Sequence, residues 1–113
     1  METDLFSEIK VGGRICLLPK DVAYFEADLN YTIIHYPTGK PVIVATTMGH
    51  IQNRIINKTA FVRPNRKYLI NLDYINSLEI YGLHLQNDLH IKISRRRKLA
   101  IIPIVESYLE KNK

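Results

Sequence analysis

Turn-forming residues break this chain into pieces too short for long helices. Gly12-Gly13, Pro19, Asp28-Leu29-Asn30, the stretch from Pro37 to Pro41 and Asn87-Asp88 punctuate it along most of its length. Glycine, proline and Asn or Asp are the strongest local chain-reversal signals. Between these breaks, apolar residues alternate with polar ones or form short runs, the pattern of strands, and few segments repeat at the helical period of about 3.6 residues. The chain is therefore predicted to be mainly β.

The pattern places short strands at 9–11, 15–18 and 22–26, then a hairpin of 31–36 with 42–46 around Gly39. Residues 48–57 form the first helical candidate, with Met48, Ile51, Ile55 and Ile56 on one side and Thr46 or Thr47 as the cap. Strands follow at 61–63, 68–72 and 75–85, the last broken and bulged at Tyr81-Gly82. Parity fixes the next reversal. A three-residue loop, Gln86 to Asp88, pairs Leu85 with Leu89 and Leu83 with Ile91, so that all four face the core; a two-residue loop would set Leu85 against His90. Pro103 interrupts the C-terminal segment and disfavours helix at Ile102, so a short turn and then a helix starting near Pro103 are predicted.

With 113 residues the chain has the length of one domain, 1–113, with its core at about 9–111. The longest near-apolar run, 99–105, is far short of the roughly 20 residues that span a bilayer. The acidic N-terminus lacks the features of a signal peptide, which implies a cytoplasmic protein without membrane attachment. The lone Cys16 excludes an internal disulfide; inside Ile-Cys-Leu-Leu it reads as a small buried thiol rather than a nucleophile, and no enzyme activity is expected. His84 and His90 face each other on the outward side of their hairpin, but two ligands are too few for a structural metal site, and no cofactor is expected.

Charge is the functional signal. The net charge is +5, yet residues 54–98 hold ten Lys or Arg against three acids. Two segments concentrate it: Phe61-Val62-Arg63-Pro64-Asn65-Arg66-Lys67-Tyr68 and Ile93-Ser94-Arg95-Arg96-Arg97-Lys98. Adjacent cations repel one another, and a polyanion relieves that repulsion while releasing its own condensed counterions. Arg and Asn are also the residues that read guanine and adenine edges in a major groove. The basic strips lack interleaved aromatics, which favours a duplex over single strands stacked on tyrosines. Tyr68 is assigned to core packing, and Asn71 to holding a turn through its amide.

The string from Phe61 through Tyr68-Leu69-Ile70-Asn71 to Ile75 resembles the signature of the LytTR DNA-binding domain family, Phe-x-Arg-x-His-Arg-Ser-Tyr-Leu-Val-Asn followed shortly by Ile. Val22-Ala23-Tyr24-Phe25-Glu26-Ala27 with Asn30-Tyr31 is similar to the family's early strand and turn, and Ile93-Ser94-Arg95 to its late Val-Ser-Arg. Asn65 stands where the family usually has His, Lys67 where it has Ser, and Asp88 where a turn Gly is common.

The resemblance implies an elongated arrangement of small antiparallel β-sheets with one short central helix and a short C-terminal helix. It implies a bacterial, sequence-specific double-stranded DNA-binding transcriptional regulator whose loops read successive major grooves at direct-repeat sites, with dimerisation on DNA. Family members often carry a response-regulator receiver domain, which is not expected in these residues. Carried over by position, base contacts fall on Asn30, Arg66, Lys67 and Arg96, and phosphate contacts on Arg63, Asn65, Arg95, Arg97 and Lys98. The rival reading is a small β module that binds single-stranded nucleic acid or a protein partner.

Overall fold

The computed structural model describes residues 8–55 and 60–112. Strands β1 (Ile9–Gly12) and β2 (Ile15–Leu17) lead into β3 (Tyr24–Asp28), β4 (Tyr31–His35) and β5 (Val42–Val44). Helix α1 (Met48–Arg54) precedes β6 (Phe61–Val62) and β7 (Tyr68–Asn71). Then come β8 (Ile75–Glu79), β9 (Gly82–Leu85), β10 (His90–Ile91) and helix α2 (Lys98–Lys111). The fold is mainly β, with small antiparallel sheets and two helices, as the sequence pattern predicts.

The central layer is a five-stranded antiparallel sheet in the order β5-β4-β3-β7-β6. Side chains alternate across it, so that β3, β6 and β7 feed two cores, one on each face. On one face, Phe25, Ile34, Leu69 and Phe61 pack with Val11 and Leu17 of the β1–β2 ribbon and with Met48, Ile51 and Ile55 at α1. On the other, Tyr24, Val62 and Ile70 pack with Leu83, Leu85 and Ile91 of the β8-β9-β10 sheet and with Ile101 and Val105 of α2. Burying a side chain of this size contributes about 1.5–3 kcal/mol, so both outer layers are held mainly by the sheet between them.

The β9–β10 register is the one parity selects: Leu83 lies opposite Ile91 and His84 opposite His90, and the Leu85 amide donates to Leu89 O at 2.9 Å. Asp88 makes that three-residue loop with φ of +67°, where a glycine is the easier occupant. Asn71 does hold a turn. Its Oδ1 accepts from the Asp73 amide at 2.9 Å and its Nδ2 donates to Val22 O at 2.9 Å, which stops β7 and ties it to the start of β3. Thr47 occupies the cap position of α1 without a side-chain bond; of the predicted 48–57 helix, Ile56 and Asn57 lie outside the described residues.

Three expectations are corrected. Residues 75–85 are not one bulged strand, because the chain reverses at Ile80-Tyr81 and Glu79 pairs with Gly82. Gly82 permits this at φ of +138°, and any Cβ there would collide with the Ile91 carbonyl oxygen; a bulge does occur, but between Ile75 and Ser77. Cys16 is exposed, since only one face of the β1–β2 ribbon meets the core and Leu17 takes it. Finally, α2 begins at Lys98 and runs through Pro103. The proline leaves the Leu99 carbonyl without its helical donor, but Leu99 is 92% exposed and water can supply one. Ile101 and Val105, one turn apart and both buried, hold the helix together across the gap.

Because the defect in α2 faces solvent, Pro103→Ala should restore one backbone bond without disturbing the core. The substitution should raise stability by about 1–2 kcal/mol, part of the gain being offset by greater freedom of the unfolded chain. Urea unfolding measures it; an unchanged or lower midpoint would show that the proline is already accommodated without loss.

Candidate nucleic-acid interface

Residues 63–67 leave β6 and enter β7 through a loop built on one amide. Asn65 Oδ1 accepts from the backbone amides of Lys67 at 2.8 Å and Tyr68 at 3.1 Å, an Asx-type turn at the entry to β7. Its Nδ2 donates to Lys92 O at 2.7 Å, just past β10. The same side chain thus shapes one basic segment and fastens it to the other. Two further bonds repeat the connection: the Ser94 amide donates to Pro64 O at 2.9 Å, and Arg97 Nη1 to Arg63 O at 3.1 Å.

Arg63 is drawn inward. Its Nη1 donates to Gln52 Oε1 of α1 at 3.0 Å and its Nη2 to Arg66 O at 3.0 Å. Burial lowers its pKa from the usual value, and the neighbouring Arg97 and Arg66 lower it further. With Arg97 and Arg66 close enough to act on it, Arg63 lies in a site of positive potential that an anion would relieve. Arg66, Lys67, Arg95, Arg96 and Lys98 remain exposed around it. Arg95, Arg96 and Arg97 form a single helical turn leading straight into α2, so successive guanidinium groups fan out rather than alternate as on a strand.

The β3–β4 hairpin ends beside this loop. Asp28 pairs with Tyr31, leaving Leu29-Asn30 as a two-residue tip; Leu29 takes φ of +56° and is 91% exposed. Glu26 pairs with Tyr68 and the Ala27 amide donates to Lys67 O at 2.7 Å. The end of β3 that carries the Asn30 tip is therefore the end at which Arg66 and Lys67 enter β7. Asn30, Arg66, Lys67, Arg95, Arg96 and Lys98 are brought to one end of the fold through backbone pairing and loop bonds. Arg63 and Asn65 stand behind them with side chains engaged inside the protein, and Arg97 has one of its N–H groups so engaged.

Sequence reasoning had no role for Glu26 and Gln52, whose side chains reach the basic loop, or for His35, which backs Glu26 from the Tyr24 end of the hairpin. Glu26 Oε2 lies 3.6 Å from Lys67 Nζ, and Oε1 lies 2.8 Å from His35 Nε2. For Glu26, an acid directly after the apolar run Val22 to Phe25 was the available signal. Tyr68, assigned to packing, does pack partly buried against the core shared with the β8-β9-β10 sheet and α2 and makes an edge contact with Tyr24 at 5.9 Å. Burial raises its pKa, the Glu26 charge adds to that, and Lys67 opposes it.

A family model for the LytTr DNA-binding domain matches residues 13–102. Among solved structures, the LytTr DNA-binding domain of a protein described as a methyl-accepting/DNA response regulator from Bacillus cereus is similar at a TM-score of 0.65, covering 93% of this chain and 94% of that one. The two sequences are 17% identical, so this likeness is one of fold. No curated protein matches the chain.

Removing the Asn65 amide should loosen both basic segments together. Asn65→Ala loses three bonds, each contributing about 0.5–1.5 kcal/mol net and less where water competes, so a loss of about 1–3 kcal/mol is expected in urea unfolding. Hydrogen exchange of the Lys67 and Tyr68 amides should accelerate by more than the global loss explains. Exchange rates that follow global stability alone would show that the loop does not depend on this side chain.

Proposed function

The chain belongs to the LytTr DNA-binding domain family, and on that premise we propose that it reads double-stranded DNA sequence-specifically, as a transcriptional regulator in the cytoplasm of a bacterial cell. The observation that carries this reading is the gathering of three separate chain segments at one end by internal bonds. Asn65 to Lys92 O, Ser94 to Pro64 O and Arg97 to Arg63 O join the two basic segments, and the β3–β7 ladder adds the Asn30 tip. A surface that only attracts polyanions has no need of fixed loops, whereas base-edge readout needs donors held to within a fraction of an ångström.

Roles divide by exposure and by what each side chain already holds. Arg66, exposed in its loop, and Arg96, exposed on the helical turn before α2, are the candidates for bidentate contacts to guanine, with Asn30 at the hairpin tip suited to adenine and Lys67 beside Arg66. Arg95, Lys98 and the free N–H groups of Arg97 would meet phosphates. Arg63 and Asn65, proposed from sequence as phosphate contacts, act chiefly by framing the loop. Residues 1–113 would work as one unit without cofactor or covalent chemistry, on paired direct-repeat sites read in successive major grooves, with dimerisation on the DNA.

Two outcomes are expected. With Arg95, Arg97 and Lys98 meeting phosphates, log affinity should fall with log salt at a slope of roughly −3; a slope near zero would favour a protein partner. Arg66→Ala or Arg96→Ala should lose about 1–3 kcal/mol more on a preferred duplex, recovered by selection from a random pool, than on a scrambled one, while Lys98→Ala should weaken both about equally. Anisotropy titration of each variant at one salt concentration measures this, and equal losses for all three would mean that the face holds DNA without reading it.

A further inference from the structure

Lys67 does not hang free at the edge of the basic end. Its ammonium sits 3.6 Å from Glu26 Oε2 and 5.8 Å from the centre of the Tyr68 ring, held by a carboxylate on one side and an aromatic face on another. The carboxylate is itself fixed. Glu26 Oε1 lies 2.8 Å from His35 Nε2, and the His35 ring stacks on Tyr24 with centroids 4.3 Å apart and planes 15° from parallel. The ladder enforces this grouping, because Tyr24 lies opposite His35 while Tyr68 lies opposite Glu26. The Glu26 side chain is 21% exposed, against 58% for Lys67. The anion is thus a sheltered, rigid element, and the cation is the mobile partner it restrains.

An acid among the cations works against simple attraction, since it repels phosphate and neutralises a neighbouring charge. It favours discrimination. A free lysine on its flexible stem reaches whichever phosphate is near and strengthens binding to every sequence alike. Specificity is a difference of affinities, so lowering the common term raises it. We infer that Glu26 is a positioning residue for sequence reading: it holds the Lys67 ammonium off the phosphates and presents it at one fixed place beside Arg66. His35 keeps Glu26 from following the lysine outward. This inference rests on the DNA-reading proposal above.

The test uses the full chain, the preferred duplex recovered by selection, and a scrambled duplex, titrated by anisotropy across a range of salt concentrations. Glu26→Gln should bind the scrambled duplex several-fold more tightly at low salt, with a slope steeper by about 0.9, the value for one added phosphate contact. Its preference for the selected duplex should fall by threefold or more, and adding Lys67→Met should abolish the gain on scrambled DNA. A Glu26→Gln protein that weakens on both duplexes equally, or changes on neither, overturns the inference. Lys67→Met alone, an exposed change that leaves the cores untouched, decides the matter even if Glu26→Gln folds poorly. It should lower the preference and leave the slope on scrambled DNA unchanged, whereas a slope flattened by about 0.9 with preference intact would make Lys67 an ordinary phosphate contact and overturn the inference. Wild-type protein without preference between the duplexes removes the DNA-reading proposal and this inference with it; wild-type preference beside an unaltered Glu26→Gln removes this inference alone.

Discussion

The pairing of β3 with β7 is the contact on which the remainder of the structure depends. It joins residues 24–26 to residues 68–70 across more than forty positions of sequence, and closing so long a loop is entropically unfavourable until the contacts it brings are made. Those contacts are on both sides at once. Phe25 and Leu69 look into one core while Tyr24 and Ile70 look into the other, so neither outer layer has a complete surface to pack on until these two strands meet. Asn71 closes the far end of the pair by donating to Val22 O. The near end, where Ala27 bonds to Lys67 O, is where the basic loops emerge.

The same arrangement explains how so much positive charge is tolerated in one place. Arg63, the most enclosed of the guanidinium groups, has carbonyl-type acceptors in Gln52 and Arg66 O rather than a carboxylate. Its charge is not cancelled, which preserves the field at the surface, while its buried Nε has no hydrogen-bond partner and burial lowers its pKa. Glu26 places a carboxylate off to one side, in contact with Lys67 and His35. The acids at this end, Glu26 within β3 and Asp28 at the hairpin tip, thus leave the cluster of guanidinium groups itself uncancelled.

Much of this was legible in the residues because it follows from local parity. The Leu85, Leu89, Leu83 and Ile91 alternation selects a single loop length, and the Asn71 turn needs only a short polar side chain at a strand end. What was not legible depends on distant neighbours. Cys16 reads as buried from its flanking residues, yet its ribbon has only one covered face. The reversal at Ile80-Tyr81 lacks the Asn-Gly type of signal, and the positive φ of Gly82 together with its crowding against Ile91 reveals why a glycine follows. Pro103 argues against helix locally, and tertiary burial of Ile101 and Val105 outweighs it. Arg63 and Asn65 carry the right chemistry for phosphate, but their actual hydrogen-bond partners, Gln52 and Lys92, lie in other elements of the fold. The family resemblance was legible at Phe61 to Ile75, and the matched region 13–102 encompasses it.

The bonds that knit residues 63–65 to residues 92–97 give the site a fixed span, because the loops cannot slide past one another without breaking them. Such a rigid pair of loops loses little conformational entropy on docking. On the proposed reading it also acts as a ruler: the duplex, and not the protein, must adjust so that its base edges arrive at the set spacing. The work of bending and twisting DNA depends on base steps, least for flexible pyrimidine–purine steps and most for stiff A-tracts. Preference should then extend to base pairs lying between the contacted ones, which no side chain touches, and the rigidity of Asn65 and its partners becomes part of the recognition code.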